Sequence, residues 1–140
     1  MSVKSLVPNL MVEDVRRSAA FWCGQLGFTA RFTADADKGF HAGLPEEGDI
    51  VYAQFVADTV EIMVQRRDSI SEELPRFADA PTGGGFTLYV QVEDLDALHA
   101  RLKDALTTVK DLHTTFYGMR EWYVADPDGV MVCLAEQAER

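Results

Sequence analysis

The sequence has few cysteines, few basic residues and no long apolar segment, and each shortage excludes a class of protein. Its 140 residues include two cysteines, Cys23 and Cys133, without CxxC spacing, so a disulfide-stapled fold is not expected. No secretion-type leader is evident, and we expect a reducing, cytoplasmic location. No apolar run approaches the roughly 20 residues that cross a bilayer, which excludes a membrane partner.

Basic residues are also scarce: 13 Lys and Arg stand against 23 Asp and Glu, giving a formal net charge of -10 at pH 7. Such a charge repels phosphate backbones, so nucleic acid is excluded as a partner, and it attracts cationic ligands. The alternative is that the acidic composition serves only to keep the protein soluble. The length of 140 residues, 47% of them hydrophobic, suffices for one core and predicts a single domain over residues 1–140.

One pattern of strand, acidic cap, amphipathic helix and closing hairpin occurs twice along the chain. The tripeptide Val-Glu-Asp marks the two caps, at 12–14 and at 92–94. The first copy is predicted to contain a strand at 5–12, a helix at 15–25 and strands at 28–32, 50–56 and 60–65; the second, a strand at 86–92, a helix marked by Leu95, Leu98, Leu102 and Leu106, and a hairpin over 122–134. These repeats predict an α+β fold of two βαβββ modules, at about 5–65 and 86–137, with a linker at about 66–85.

Alternation sorts the strand residues into two faces of different chemistry. One set is aliphatic and is expected to pack beneath the helices: Leu10, Val12, Ile62, Val64, Leu88, Val90, Val92, Val132 and Leu134. The other set mixes polar, polarisable and aromatic side chains, as the lining of a ligand cavity does. We therefore expect the modules to form a curved sheet around a cavity. Glu61 lies in this second set and is a surface charge, an anchor for a cationic ligand, a general base or a metal ligand.

Three features carry a family resemblance: the strand and helix from Asn9 to Phe28, the closing segment Gly118–Gly129 with its Asp-Pro-Asp-Gly turn, and the duplicated plan. Together they resemble the vicinal oxygen chelate superfamily, the glyoxalase, bleomycin-resistance and extradiol dioxygenase group. The resemblance implies a divalent metal bound at four positions, which fall here on Val7, Glu61, Thr87 and Cys133. Only Glu61 is a usual ligand, although Cys133 could bind a soft metal as thiolate. The histidines, His41, His99 and His113, fall on none of these positions.

We therefore expect no cofactor, with a divalent metal left open, and three functions compete. The first is a metal-independent binding protein resembling the bleomycin-resistance branch, which sequesters a bulky cationic antibiotic. Its candidate ligand-binding residues are Asn9, Tyr52, Gln54, Glu61, Met63, Thr87, Tyr89, Phe116, Tyr117, Trp122 and Cys133. Hairpin register decides whether Trp122 or Tyr123 faces inwards, and likeness to Gln54 favours Trp122.

The second candidate is an enzyme, a glyoxalase-like lyase or isomerase with Glu61 as general base or metal ligand, assisted by Tyr89 or Cys133. The third is an interaction module without a working cavity. A binding protein is favoured over an enzyme because the implied metal positions lack ligands. The resemblance also implies a homodimer, the commonest oligomer in general.

Overall fold

The computed structural model describes residues 2–139 and divides the chain into two compact units, one ending at Thr82 and the other beginning at Gly83. The first unit contains β1 (Asn9–Val12), α1 (Val15–Ala19) continued by a π-helical segment (Ala20–Gln25), β2 (Thr29–Asp35), β3 (Phe40–Ala42), β4 (Ile50–Ala57), β5 (Val60–Arg66), α2 (Arg67–Glu73) and a 3-10 turn (Pro75–Phe77). The second contains β6 (Thr87–Gln91), α3 (Leu95–Leu102), β7 (Thr107–Thr114), β8 (Met119–Ala125) and β9 (Met131–Gln137).

Each unit is built on one mixed sheet. The strand order is β1-β5-β4-β2-β3 in the first unit and β6-β9-β8-β7 in the second. In both, the first strand pairs in parallel with the last, and all other neighbours are antiparallel. The first unit adds only the short β3. This shared topology confirms the predicted α+β class and the duplicated βαβββ plan.

The predicted acidic caps begin the first helix of each unit. The Asp14 carboxylate accepts hydrogen bonds from the main-chain amides of Arg16 at 2.9 Å and Arg17 at 3.2 Å. The Asp94 carboxylate accepts one from the amide of Ala97 at 3.4 Å. These bonds satisfy amides that have no acceptor within the helix. At the other end of the first helix Gly27 has φ +85°, a conformation that glycine adopts without steric cost.

The helix-facing side of each sheet forms the core. In the first unit it buries Leu10, Val12, Phe55, Ile62 and Val64; in the second it buries Trp122, Val124, Val132 and Leu134. Burying their apolar surface stabilises each unit by about 25 cal/mol per Å². Leu88, Val90 and Val92 were also predicted in the core but are only half-buried, because β6 and the residue that follows it lie at an edge of the sheet.

Three segments differ from the sequence-based expectation. The predicted loop after β2 includes β3, and strand β7 follows α3 where no strand was predicted. Residues 66–85 were predicted as a linker with a short helix start at Ser71-Glu72-Glu73; the helix α2 begins earlier, at Arg67, and the 3-10 turn follows it. The Arg67 guanidinium stabilises this part by donating to the main-chain carbonyls of Phe77, Ala78 and Ala80. No helix within residues 2–139 has the length and apolar character needed to span a membrane.

Candidate functional site

The open face of each sheet, defined as the face opposite the helices, carries the polar candidate residues. In the first unit, Arg31, Gln54 and Glu61 form a closed ring of hydrogen bonds. Arg31 Nε donates to Gln54 Oε1 at 2.7 Å, and Gln54 Nε2 donates to Glu61 Oε1 at 2.7 Å. Arg31 Nη2 completes the ring with Glu61 Oε2 at 3.3 Å. Glu61, the pivotal carboxylate of the sequence analysis, is therefore paired with a cation.

A β-bulge places Arg31 in this ring. The pairing of β2 with β4 shifts between Ala30 and Phe32, leaving Arg31 as the extra residue beside Gln54. A bulge redirects a side chain that regular alternation would send to the other face. Alternation alone could not have assigned Arg31 to the open face, and the sequence analysis missed it.

Three further candidates lie on the same open face. Met63 pairs directly with both Asn9 and Gln54, which aligns the three residues across neighbouring strands. Asn9 Nδ2 donates to Gln65 Oε1 at 3.0 Å. Tyr52 lies opposite Gln65 and is half-buried. The first unit therefore brings together Asn9, Tyr52, Gln54, Glu61 and Met63 on one face.

The open face of the second unit is centred on Glu121, which the sequence analysis did not single out. Its carboxylate is buried, with the residue only 1% exposed. The hydroxyls of Tyr89 and Tyr117 both donate to Glu121 Oε2, at 2.8 Å and 2.6 Å. The two tyrosines remain 47% and 55% exposed, so they separate the carboxylate from solvent while presenting their own surface.

Other reactive side chains surround this carboxylate. His113 Nε2 lies 3.7 Å from Glu121 Oε1, and the His113 ring stacks on Tyr123 at an interplanar angle of 7°. Burial, followed by the charge of Glu121, raises the pKa of Cys133 to about 11. Burial and the neighbouring Cys133 raise the pKa of Tyr123 to about 12. At neutral pH the thiol and this phenol are therefore protonated, so neither is an available nucleophile or base.

The hydrogen bonds to Glu121 also keep the other two phenols protonated. Burial raises the pKa of Tyr89 first, and its hydrogen bond to Glu121 raises it further. For Tyr117 the hydrogen bond to Glu121 is the largest cause of a raised pKa. In both cases the carboxylate favours the neutral hydroxyl that donates to it. These phenols are fixed hydrogen-bonding groups at neutral pH.

The remaining candidates of the second unit do not all reach this cluster. Cys133 pairs with both Tyr89 and Tyr123 on the open face, whereas Phe116 is fully exposed, at 100%, in the turn before β8. Thr87 is exposed near one end of β6. The preference for Trp122 was wrong. Trp122 is fully buried on the opposite face, where its ring lies 4.7 Å from that of His99 on α3, and Tyr123 takes the open-face position.

A signal for Glu121 was present in the sequence. Glu121 and Tyr123 are two positions apart, so alternation places them on the same face of β8. Strand β8 lies between β9 and β7, and a carboxylate on an inner strand needs partners. A register that places Trp122 on the open face places its neighbour Glu121 on the opposite face. Of the partners of Glu121, Tyr117 and His113 are close in sequence, and only Tyr89 of β6 is distant.

The two other histidines belong to separate ion pairs. His41 Nε2 lies 2.7 Å from Asp35 Oδ2, and His99 Nε2 lies 2.8 Å from Asp111 Oδ1. The contact with His41 is the largest of the causes that lower the pKa of Asp35. Neither pair includes a candidate residue of the open faces.

The four positions implied for a divalent metal do not fit one. Val7 has no side-chain donor atom, Thr87 offers a neutral hydroxyl, and Cys133 is a ligand only for a soft metal. Glu61 already pairs with Arg31. Across residues 2–139, no three His, Cys, Asp or Glu side chains are grouped so that they could hold a metal ion. The metal chemistry implied by the resemblance therefore lacks its ligand set in this chain.

Comparisons with known proteins agree on the fold. A protein of unknown function from Agrobacterium tumefaciens str. C58 is 21% identical with a TM-score of 0.74, covering 98% of this chain and 96% of its own. A glyoxalase/bleomycin resistance protein/dioxygenase from Nocardioides is 18% identical with a TM-score of 0.70, covering 99% and 87%. TioX from Micromonospora sp. ML1 is 20% identical with a TM-score of 0.63, covering 96% and 99%.

Sequence comparison gives the family directly. No functionally curated protein gives a significant match. A family model does match, over residues 4–134, and it therefore includes nearly all strands and helices of both units. The chain belongs to the Glyoxalase/Bleomycin resistance protein/Dioxygenase superfamily.

Proposed function

We propose that this protein binds a cationic small molecule without a metal, on the open face of its second unit. The observation that carries the proposal is the buried Glu121 carboxylate with its two tyrosine donors. A buried carboxylate is costly unless it is hydrogen-bonded, and here the donors are exposed aromatic side chains rather than core residues. The two tyrosines therefore form a surface that a ligand can contact, directly over a buried negative charge.

The direction of the hydrogen bonds defines what this surface recognises. Because each hydroxyl of Tyr89 and Tyr117 donates to Glu121, the remaining lone pairs of the phenol oxygens are available to accept hydrogen bonds. The aromatic ring faces carry negative potential, which attracts cations. His113 is the one basic side chain within ion-pairing distance of Glu121 among the described residues. A ligand with a protonated amine matches these acceptors, and the net charge of -10 favours its approach.

Sequestration of a cationic antibiotic is the specific form of this function that we propose. It requires affinity and no bond-making step, which agrees with a site whose thiol and phenols are held protonated. The competing enzyme hypothesis relied on Glu61 as general base or metal ligand. It has less support because both Glu61 oxygens already accept hydrogen bonds, from Gln54 and Arg31.

The test follows thermal unfolding of chelator-treated protein with added ligands. The probes are bleomycin, 2-naphthylmethylammonium, its uncharged analogue 2-naphthylmethanol, and a series of divalent metals. A ligand that binds the native state raises Tm, and at 100 times its Kd it stabilises by about 2.7 kcal/mol. We expect a saturable rise with the ammonium compound or bleomycin and no saturable rise with the alcohol or the metals.

Matched variants assign the response to the site. Glu121→Gln should abolish the shift caused by the ammonium compound, whereas Glu47→Gln, which removes an exposed carboxylate of the first unit, should leave it unchanged. Circular dichroism confirms that each variant is folded. An ammonium shift that persists in folded Glu121→Gln would refute the proposal, and so would saturable metal binding without any cation binding.

A further inference from the structure

The open face of the first unit carries a second cluster, which the proposed function does not use. Its polar part is the ring of Arg31, Gln54 and Glu61, and its apolar part consists of Phe32, Phe40 and Tyr52. From this geometry we infer a separate binding site for a planar aromatic carboxylate, in which Arg31 binds the carboxylate and the three rings bind the aromatic group. The hydrogen-bonded ring and the aromatic side chains each support this inference by a separate observation.

The first observation is the set of N–H groups that Arg31 leaves unused. A guanidinium has five N–H groups in a rigid, planar fork. Arg31 uses one on Nε and one on Nη2 to bind Gln54 and Glu61. Its Nη1 has no hydrogen-bond partner within residues 2–139, so the edge formed by Nη1 and Nη2 retains three N–H groups. The side chain is 57% exposed, and this edge can bind a carboxylate through two parallel hydrogen bonds.

The ring also fixes the orientation of this edge. Gln54 is buried, at 6% exposed, and it bonds to both Arg31 and Glu61. The guanidinium plane is therefore held in one orientation by a side chain that is itself fixed in the sheet. An unrestrained surface arginine loses side-chain entropy when it binds a ligand, whereas a restrained one loses less. The partial neutralisation of Glu61 also lowers the local repulsion of an anion in this acidic protein.

The second observation is the group of aromatic rings on the same face. The Phe32 ring centroid lies 5.7 Å from that of Tyr52 and 6.3 Å from that of Phe40. Phe40 is 78% exposed, although it is the largest apolar side chain of its strand. Such exposed rings offer stacking surface to a flat ligand.

Two further features fix the position of these rings. The turn before Phe40 is held by Asp35, whose carboxylate accepts hydrogen bonds from the amides of Asp37 and Gly39 at 2.9 Å. Phe32 also pairs with Gln54 across β2 and β4, so it lies beside the side chain that binds Arg31. The rings and the guanidinium therefore lie next to each other on the open face.

The test uses 2-naphthoate as the probe and NMR chemical-shift titration as the assay. We expect saturable shifts of the Arg31 Nε–H, the Gln54 side-chain amide and the rings of Phe32, Phe40 and Tyr52. 2-Naphthylmethanol, which has the same ring system without the charge, should bind at least tenfold more weakly. Equal binding of the alcohol at these residues would overturn the assignment of Arg31 as the carboxylate ligand.

Four variants separate the parts of the site. Arg31→Gln should weaken naphthoate binding at least tenfold, and Arg31→Lys should not restore it, because lysine keeps the charge but lacks the fork. Phe40→Ala changes an exposed side chain and should weaken binding several-fold without loss of folding. Arg101→Gln, which removes an exposed arginine of α3, is the charge-matched control and should have no effect. Undiminished binding in Arg31→Gln or in Phe40→Ala would refute the inference.

The outcome is independent of the function proposed for the second unit. Glu121→Gln should abolish binding of the naphthyl ammonium compound and leave naphthoate binding intact. Arg31→Gln should do the reverse. If one site fails its binding test, the result for the other site can still be interpreted.

Discussion

Replacing Tyr89 and Tyr117 by phenylalanine tests whether the buried charge of Glu121 depends on these two hydroxyls. Each hydroxyl donates to the same carboxylate oxygen, at 2.8 Å and 2.6 Å. A hydrogen bond to a charged group contributes about 1.5–3 kcal/mol, and Tyr89→Phe should lose unfolding free energy near the lower end of that range because Tyr89 is about half exposed. Tyr117→Phe should also lower the unfolding free energy.

The double variant should lose more than the sum of the two single variants. With one hydroxyl left, the carboxylate keeps a strong donor. With both removed, its nearest polar side chain is His113 at 3.7 Å, and a buried carboxylate without a donor is strongly destabilising. We expect a coupling free energy of about 1 kcal/mol or more. In a Glu121→Gln background each substitution should cost clearly less and the coupling should disappear, because no charge then requires the donors.

Urea unfolding followed by tryptophan fluorescence measures these values. Trp22 is first replaced by phenylalanine, so that Trp122 reports on the second unit alone. The Trp22 indole N–H is buried without a hydrogen-bond partner among the described residues, so its removal leaves no acceptor unpaired. Additive losses that are unchanged in the Glu121→Gln background would show that the hydroxyls contribute by packing only, and would refute the reasoning.

Three further predictions concern the core, the thiol and the segment after α2. Trp122→Ala should lose about 3–5 kcal/mol in urea unfolding and Tyr123→Ala clearly less, because only Trp122 is fully buried; equal losses would contradict the observed register. Because the pKa of Cys133 is raised to about 11 in the folded protein, the thiol of the unfolded chain ionises first as pH rises. The unfolding free energy should therefore fall between pH ~8.5 and about 11. An equally steep fall in Cys133→Ala would contradict this cause. Arg67→Ala should lose about 1–3 kcal/mol with faster hydrogen exchange at residues 77–80, and full recovery by Arg67→Lys would argue against the guanidinium fork.

The repeat, the caps and most strands could be predicted because each has a local cause. Hydrophobic periodicity and an acidic residue before a helix are visible within a few positions, as the carboxylates of Asp14 and Asp94 show. The short β3 and the edge strand β7 were missed because exposed strands lack a strong apolar pattern. Most residues of β7 are exposed.

The prediction that Trp122 lies on the open face was wrong because the two hairpins differ in register. The likeness of Trp122 to Gln54 comes from matching Val56-Ala57-Asp58 with Val124-Ala125-Asp126. In the structure the first hairpin pairs Ala57 with Val60 across two residues, whereas the second pairs Ala125 with Met131 across five. The longer turn shifts the register by one residue, and a shift of one residue exchanges the two faces of a strand. Hairpin register therefore depended on turn length and could not be taken from a matching tripeptide.

With register corrected, the two units can be compared position by position. Met63 pairs with Asn9 and Gln54, and Cys133 pairs with Tyr89 and Tyr123 in the same way. The equivalent open-face pairs are Asn9 and Tyr89, Tyr52 and Glu121, Gln54 and Tyr123, and Met63 and Cys133.

These pairs differ in charge and hydrogen bonding, while the helix-facing positions of both units remain largely apolar. Because the apolar core consists mainly of the helix-facing set, exposed open-face residues can change without loss of the fold. The two open faces of the duplicated unit therefore differ in the groups that they present. One presents the guanidinium edge of Arg31, and the other presents phenols that donate to the carboxylate of Glu121. Ligand selectivity in this chain should accordingly be altered by exchanging open-face residues between equivalent positions, with little effect on unfolding free energy where the exchanged side chains are exposed.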